Sequence, residues 1–156
     1  MRQPLGHQRY AVGMVSMIVW GRRSDQRMER KAHVAIPLFV AALGIAVAAV
    51  VDEPLLKMAA LTLAAFGVFS SLPVFWTLPA AFLSGPAAAA GIAIINALGN
   101  LSGFAGPYAM GWIKDQTGSF SGGLLAIAAV ALIGMIAVIL LPHNRRLEYI
   151  PPQPAE

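Results

Sequence analysis

Cysteine is absent from all 156 residues, so disulfides, thiolate metal sites and thiol nucleophiles are excluded. Charge is scarce as well. Asp, Glu, Lys and Arg together make up 12% of the chain, half the roughly 25% of an ordinary soluble domain. From Met58 to Ile113 there is none at all. A soluble domain needs charge on its outer faces, whereas a transmembrane helix needs about 20 apolar residues. The charge-free run is about the length of two spans, with a turn at Ser84-Gly85-Pro86, so the solvent it implies is lipid. The same scarcity makes a membrane enzyme the least favoured reading, for want of a catalytic acid, base or nucleophile in the spans. His7, His33 and His143 lie outside the apolar segments and far apart in sequence, which argues against a shared metal site. No cofactor is expected.

What is present is apolar. Hydrophobic residues make up 58% of the chain, and the mean hydropathy is +0.69. Five apolar segments stand out, at 10–20, 34–51, 55–83, 87–112 and 121–141. The last four are long enough to cross a bilayer. The first would rise only about 16 Å against a hydrocarbon core of about 30 Å. Gly6-His7-Gln8-Arg9 ahead of it is too polar to complete it. A cleavable leader is also a poor fit, because Gly21-Arg22-Arg23 follows where a small-x-small cleavage site would stand. The reading is an all-α membrane protein of four full spans plus one truncated. Residues 1–9 are expected to be a non-native start, 10–141 the transmembrane domain and 142–156 a cytoplasmic tail.

The net charge is +4, and five of the eleven Lys and Arg residues sit between Gly21 and Lys31. They cluster rather than cover a face, and no aromatic-and-basic surface accompanies them, so nucleic acid is not the expected partner. Beside an apolar span, such a cluster marks the cytoplasmic side. The tail with His143, Arg145 and Arg146 belongs on the same side, and 52–57 and 114–120 on the opposite one. Four crossings return the chain to its starting side, so the two assignments agree. Trp20 and Trp112 fall at span ends, where indole rings prefer to lie.

Two constellations carry chemistry. In the fourth span, Asn96, Asn100, Gly103 and Pro107 recur at i, i+4, i+7 and i+11, within a stripe about 60° wide; Gly99 and Gly106 lie beside it. Small residues at such spacing let helix backbones approach closely. Two amides on one face avoid lipid, since an unpaired amide there costs several kcal/mol. They either bond a neighbouring helix or line a solute pathway. In the third span, Pro73 and Pro79 each remove a backbone donor and predict a bend on the cytoplasmic half. The second constellation is the loop Gly21-Arg22-Arg23-Ser24-Asp25-Gln26-Arg27-Met28-Glu29-Arg30-Lys31. It is either an ordinary basic loop that sets topology or a latch, with Asp25 at a helix N-terminus pairing with nearby Arg.

That loop resembles the signature loop of the major facilitator superfamily, Gly-x-x-x-Asp-basic-x-Gly-basic-basic, in its copy between helices 8 and 9. The form running on to His33 is similar to the anion:cation symporter branch. So are Phe75-Trp76-Thr77-Leu78-Pro79, Phe82-Leu83-Ser84-Gly85, and the run from Gly91 through Asn96, Gly99-Asn100, Gly103-Phe104, Gly106-Pro107-Tyr108 to Gly111-Trp112. Gln26 stands where the family loop has a basic residue, and Met28 where it has Gly, which would weaken the latch. The resemblance covers about residues 10–141. It implies a partial C-terminal six-helix half of a twelve-helix fold, matching part of helix 8 and helices 9 to 12.

Several functional expectations follow from the resemblance. The family implies proton-coupled, alternating-access transport of a small organic anion, such as a sugar acid, tartrate or an aromatic acid. The setting would be a bacterial inner membrane, with a missing N-terminal half as partner. Asn96 and Asn100, with Trp76 and Thr77, would line the substrate cavity. Trp76 alternatively packs or faces lipid, and Thr77 alternatively caps its own backbone. Gly21, Arg22, Arg23, Asp25, Arg27 and Arg30 would form the inner gate. Gly99, Gly103, Gly106 and Pro107 would pack against another helix. With no buried acid or Arg in its spans, the chain alone is expected not to transport. The competing readings are an inert truncated product and a small membrane protein that packs against a partner helix.

Overall fold

The computed structural model describes residues 17–24, 26, 29–83 and 85–141, and every regular element among them is a helix. Helix α1 covers residues 17–24. It is followed by α2 (Arg30–Val50), α3 (Pro54–Phe82), α4 (Gly85–Thr117) and α5 (Ser121–Leu140). The expectations for 1–9, for the start of the truncated span, for Asp25 and Arg27, and for the 142–156 tail fall outside the described residues. Helices α2 to α5 are each long and apolar enough to cross a membrane. The chain is a multi-pass membrane protein, with four membrane-spanning helices among the described residues.

Local chemistry sets the helix ends. Glu53 caps α3 by accepting from the Leu56 N–H at 2.6 Å, with Pro54 in the first helical position, where its missing N–H is not needed. Gly118 has φ +71° and donates its N–H to Lys114 O at 2.7 Å, which closes α4 in a left-handed C-terminal turn. Helix α4 therefore continues through Lys114 and Asp115, past the apolar span that ends near Trp112. Likewise α2 begins at Arg30, one turn before its apolar run, because basic side chains can reach out from the first turn.

Helix α2 is the centre of the bundle and is packed by α3 and α5. Its buried column Val34, Pro37, Ala41, Gly44, Ala48 repeats at spacings of three and four. So does the α3 column Ala60, Ala64, Gly67, Ser71, Val74, Leu78. These are heptad faces, and most of their residues are small. A Cβ built on Gly44 would lie 2.7 Å from Ala60 O and 2.8 Å from Ala64 N. One built on Gly67 would lie 2.5 Å from Pro37 O and 2.7 Å from Ala41 N. The two backbones therefore touch, which is how helices associate where lipid removes the hydrophobic driving force.

At one end of the bundle, Val34, Val74, Leu78 and Val138 join α2, α3 and α5, with Trp20, Leu38 and Phe75 packed around them. At that same end Lys31 Nζ donates to Leu141 O. The start of α2 and the end of α5 thus lie together, as an even number of crossings requires. Helix α4 stands apart. It has no buried residue. Its neighbours are met near the turns, where Leu83 lies against Gly91, and Met110 and Ile113 lie against Gly123 and Gly122.

Candidate functional site

Helix α4 carries the stripe read from the sequence, and the structure leaves it open. Asn96, Asn100, Gly103 and Pro107 are all exposed. Nothing lies within 4 Å of a Cβ built on Gly99, Gly103 or Gly106. Among the described residues no helix packs on the small face, and neither amide has a hydrogen-bond partner. Ser102, on a different face of α4, returns its hydroxyl to Gly99 O at 2.7 Å. What α4 presents is two amides, each able to donate and accept, on a bare apolar rod.

Trp76 and Thr77 lie on α3, which α4 meets only sparingly. Thr77 Oγ1 donates to Val74 O at 2.7 Å, so its hydroxyl serves its own helix. Trp76 is 39% exposed and meets Phe75 edge-on, with ring centroids 5.5 Å apart at 72°. The indole is thus partly open to its surroundings. Among the described residues no hydrogen bond joins this pair to the amides of α4.

On α1, Gly21 lies beside Pro73 of α3, a built Cβ lying 4.0 Å from Pro73 Cβ. Arg22 and Arg23 are exposed. Arg30 opens α2 with its Nε buried and unpartnered among the described residues. The geometry of a latch through Asp25 and Arg27 lies outside the described residues. Ser24 is buried, and its hydroxyl has no partner among them.

Three features were not singled out from the sequence. Gly44 and Gly67, rather than the glycines of α4, make the close helix contact in this chain. The available signal was the heptad of small residues running through each of their helices. His33 is buried rather than a stray loop histidine. Its Nδ1 lies 2.8 Å from Glu29 O, and facing a carbonyl, that nitrogen carries the hydrogen. Trp20 does more than sit at an interface. Its indole N–H donates to His33 O at 2.8 Å, and the two rings lie 5.3 Å apart. No group of three His, Asp or Glu side chains that could hold a metal occurs among the described residues.

Comparison with known proteins agrees with this architecture. The chain is 48% identical over 131 residues to a protein of Agrobacterium vitis named as a tartrate transporter, covering 84% of the chain and 29% of that relative. It is 37% identical over 132 residues to the quinolone resistance transporter of Acinetobacter baumannii, covering 85% of the chain and 30% of the relative. It is 39% identical over 124 residues to the inner membrane transport protein RhmT of Escherichia coli, covering 80% and 29%. The chain thus spans about 30% of the length of the curated relatives it matches. No family model matches it, and no solved structure does. With the loop and helix motifs, the all-helical bundle and these relatives taken together, the chain belongs to the major facilitator superfamily of membrane transporters.

Proposed function

We propose that this chain forms one wall of the solute cavity of a proton-coupled transporter for a small organic anion. The setting is a bacterial inner membrane, and the C-terminus is cytoplasmic. The observation that carries the reading is the open stripe of α4, where Asn96 and Asn100 stand unpartnered in an apolar, charge-free segment. Intramembrane polar groups mark solute pathways, and amides suit the hydroxyl and carboxylate oxygens of a sugar acid or tartrate-like solute. The exposed indole of Trp76 supplies an apolar wall. Thr77, already bonded to its own helix, shapes the cavity without contributing a free donor.

In alternating access, one helical unit rocks against another around a midplane site. Asp25 with Arg22, Arg23, Arg27 and Arg30 would gate the inner side. Helices α3 and α4 hold no charge between Met58 and Ile113. The groups that neutralise the anion and carry the proton therefore belong to the portion of the relatives that this chain does not span, and the chain alone is inactive. The test is a chimera in which residues 17–141 replace the matching segment of the Agrobacterium vitis tartrate transporter. Proton-dependent tartrate uptake that is lost with Asn100→Leu and retained with Thr77→Val supports the reading. Uptake unchanged by Asn96→Leu and Asn100→Leu together refutes the cavity assignment.

A second reading keeps α4 and changes its use. The open face around Gly99, Gly103 and Gly106 would seat another helix, and the chain would act as a membrane interaction protein. A stable complex lost on Gly103→Leu, with no solute flux in the chimera, favours that reading.

A further inference from the structure

Pro37 has no amide hydrogen, so the carbonyl four residues earlier in α2, that of His33, has lost its helical donor. An unpaired carbonyl is costly in an apolar surrounding, and another helix supplies the replacement. Trp20 of α1 donates its indole N–H to His33 O at 2.8 Å. The His33 side chain reinforces the joint. Its ring lies 5.3 Å from that of Trp20, and its Nδ1–H donates to Glu29 O at 2.8 Å. The His33 backbone N–H donates to the same Glu29 carbonyl at 3.2 Å. Trp20 packs against the cluster of Val34, Val74, Leu78 and Val138. Trp20 stands at the entrance of the basic loop, and Glu29 and His33 stand at its exit. Ser24, one turn beyond Trp20 on the same face of α1, is 1% exposed.

We infer that the Trp20 indole N–H and the His33 carbonyl left open by Pro37 form a polar pin between α1 and α2. The pin holds the end of α1 against the first turns of α2. Trp20 is thus a positioning residue. It acts by occupying an acceptor that proline created, and it does so whichever solute the chain serves. The coupling is specific. Restoring an N–H at position 37 gives the His33 carbonyl a donor within its own helix and removes the penalty for losing Trp20.

The chain lacks cysteine, so Ser24→Cys places a single, nearly isosteric thiol at a covered position. Its maleimide labelling rate, measured on the full chain in lipid vesicles, reports how often α1 lifts away. Trp20→Phe keeps an aromatic ring and deletes the donor. It should raise the rate about threefold to tenfold, the range an interhelical hydrogen bond in a membrane provides. In the Pro37→Ala background the same substitution should change the rate less than about twofold, because the carbonyl is no longer left unpaired. Equal ratios in the two backgrounds, or no change on Trp20→Phe, overturn the pin. If Trp20→Phe lowers helicity by circular dichroism, adding Pro37→Ala must restore it. Helicity that stays low in the double variant also overturns the pin.

Discussion

Adding one methyl group at Gly67 should do more damage than adding one at any glycine of α4's stripe. The Cβ of Gly67→Ala would stand 2.5 Å from Pro37 O and 2.7 Å from Ala41 N. Both are backbone atoms of a packed helix, so no flexible side chain can swing aside. Moving the carbonyl out to 3.4 Å, where ordinary contact begins, requires about 0.9 Å of separation. A gap of 0.5–1 Å forfeits about a quarter to a half of the van der Waals attraction along a contact, and overpacking of this kind typically costs about 1–3 kcal/mol. Alanine recovers up to about 1 kcal/mol through better helix propensity, so a clash with rigid backbone at the upper end of that range leaves a net loss of about 2 kcal/mol. The control is Gly99→Ala, where nothing lies within 4 Å and only the propensity gain remains. Unfolding of the full chain in mixed micelles, titrated with denaturing detergent and followed by circular dichroism, reads both. Gly67→Ala as stable as the parent, or Gly99→Ala equally weakened, refutes the claim that α2 and α3 meet backbone to backbone.

The other outcomes separate folding from function. Glu53→Ala should destabilise α3 by about 0.5–2 kcal/mol, since its carboxylate caps the Leu56 N–H, and the same detergent titration measures it. Gly118→Ala should cost about 1–2 kcal/mol, because φ is +71° there; a change below 0.5 kcal/mol would contradict a left-handed turn (about the usual surface scatter). Thr77→Val should leave stability nearly unchanged, because the hydroxyl only bonds its own helix. Asn100→Leu should leave the isolated chain equally or more stable, since it removes an unpaired amide from an apolar helix, while abolishing uptake in the chimera.

The class of fold was legible because lipid imposes a crude and strong rule: long stretches without charge become helices. The charge-free run did become α3 and α4. The identity of the packing faces was harder to read. Glycine spacing drew attention to Gly99, Gly103 and Gly106, yet among the described residues the close contact runs through Gly44 and Gly67. Both sets satisfy the small-residue pattern, and sequence pattern alone does not say which helix lies opposite. Continuity does. Gly44 and Gly67 sit inside seven-residue repeats of small residues on two helices joined by a short turn. The Trp20–His33 joint was hidden for another reason. It depends on a hydrogen missing from Pro37, a deletion that becomes visible only when the donor replacing it comes into view.

Stability and the proposed function therefore sit on different helices. Helix α2 is packed on two sides by α3 and α5. The α2 and α3 backbones touch at Gly44 and Gly67, one end of the bundle is sealed by Val34, Val74, Leu78 and Val138, and the opening turn of α2 is pinned by Trp20. None of these contacts needs α4. Helix α4 has no buried residue, and its two amides are left unpaired among the described residues. An unpaired amide facing hydrocarbon costs several kcal/mol, comparable to the marginal stability of a whole domain. That arrangement is tolerable only if something polar meets the stripe in the working protein, whether water and solute in a cavity or donors on another helix. Filling the stripe with leucines distinguishes a helix that exists to be packed from one that exists to face a passing solute. If the α4 amides bond a neighbouring helix, Asn96→Leu and Asn100→Leu weaken assembly of the chimera. If they face solute, assembly survives and uptake alone is lost.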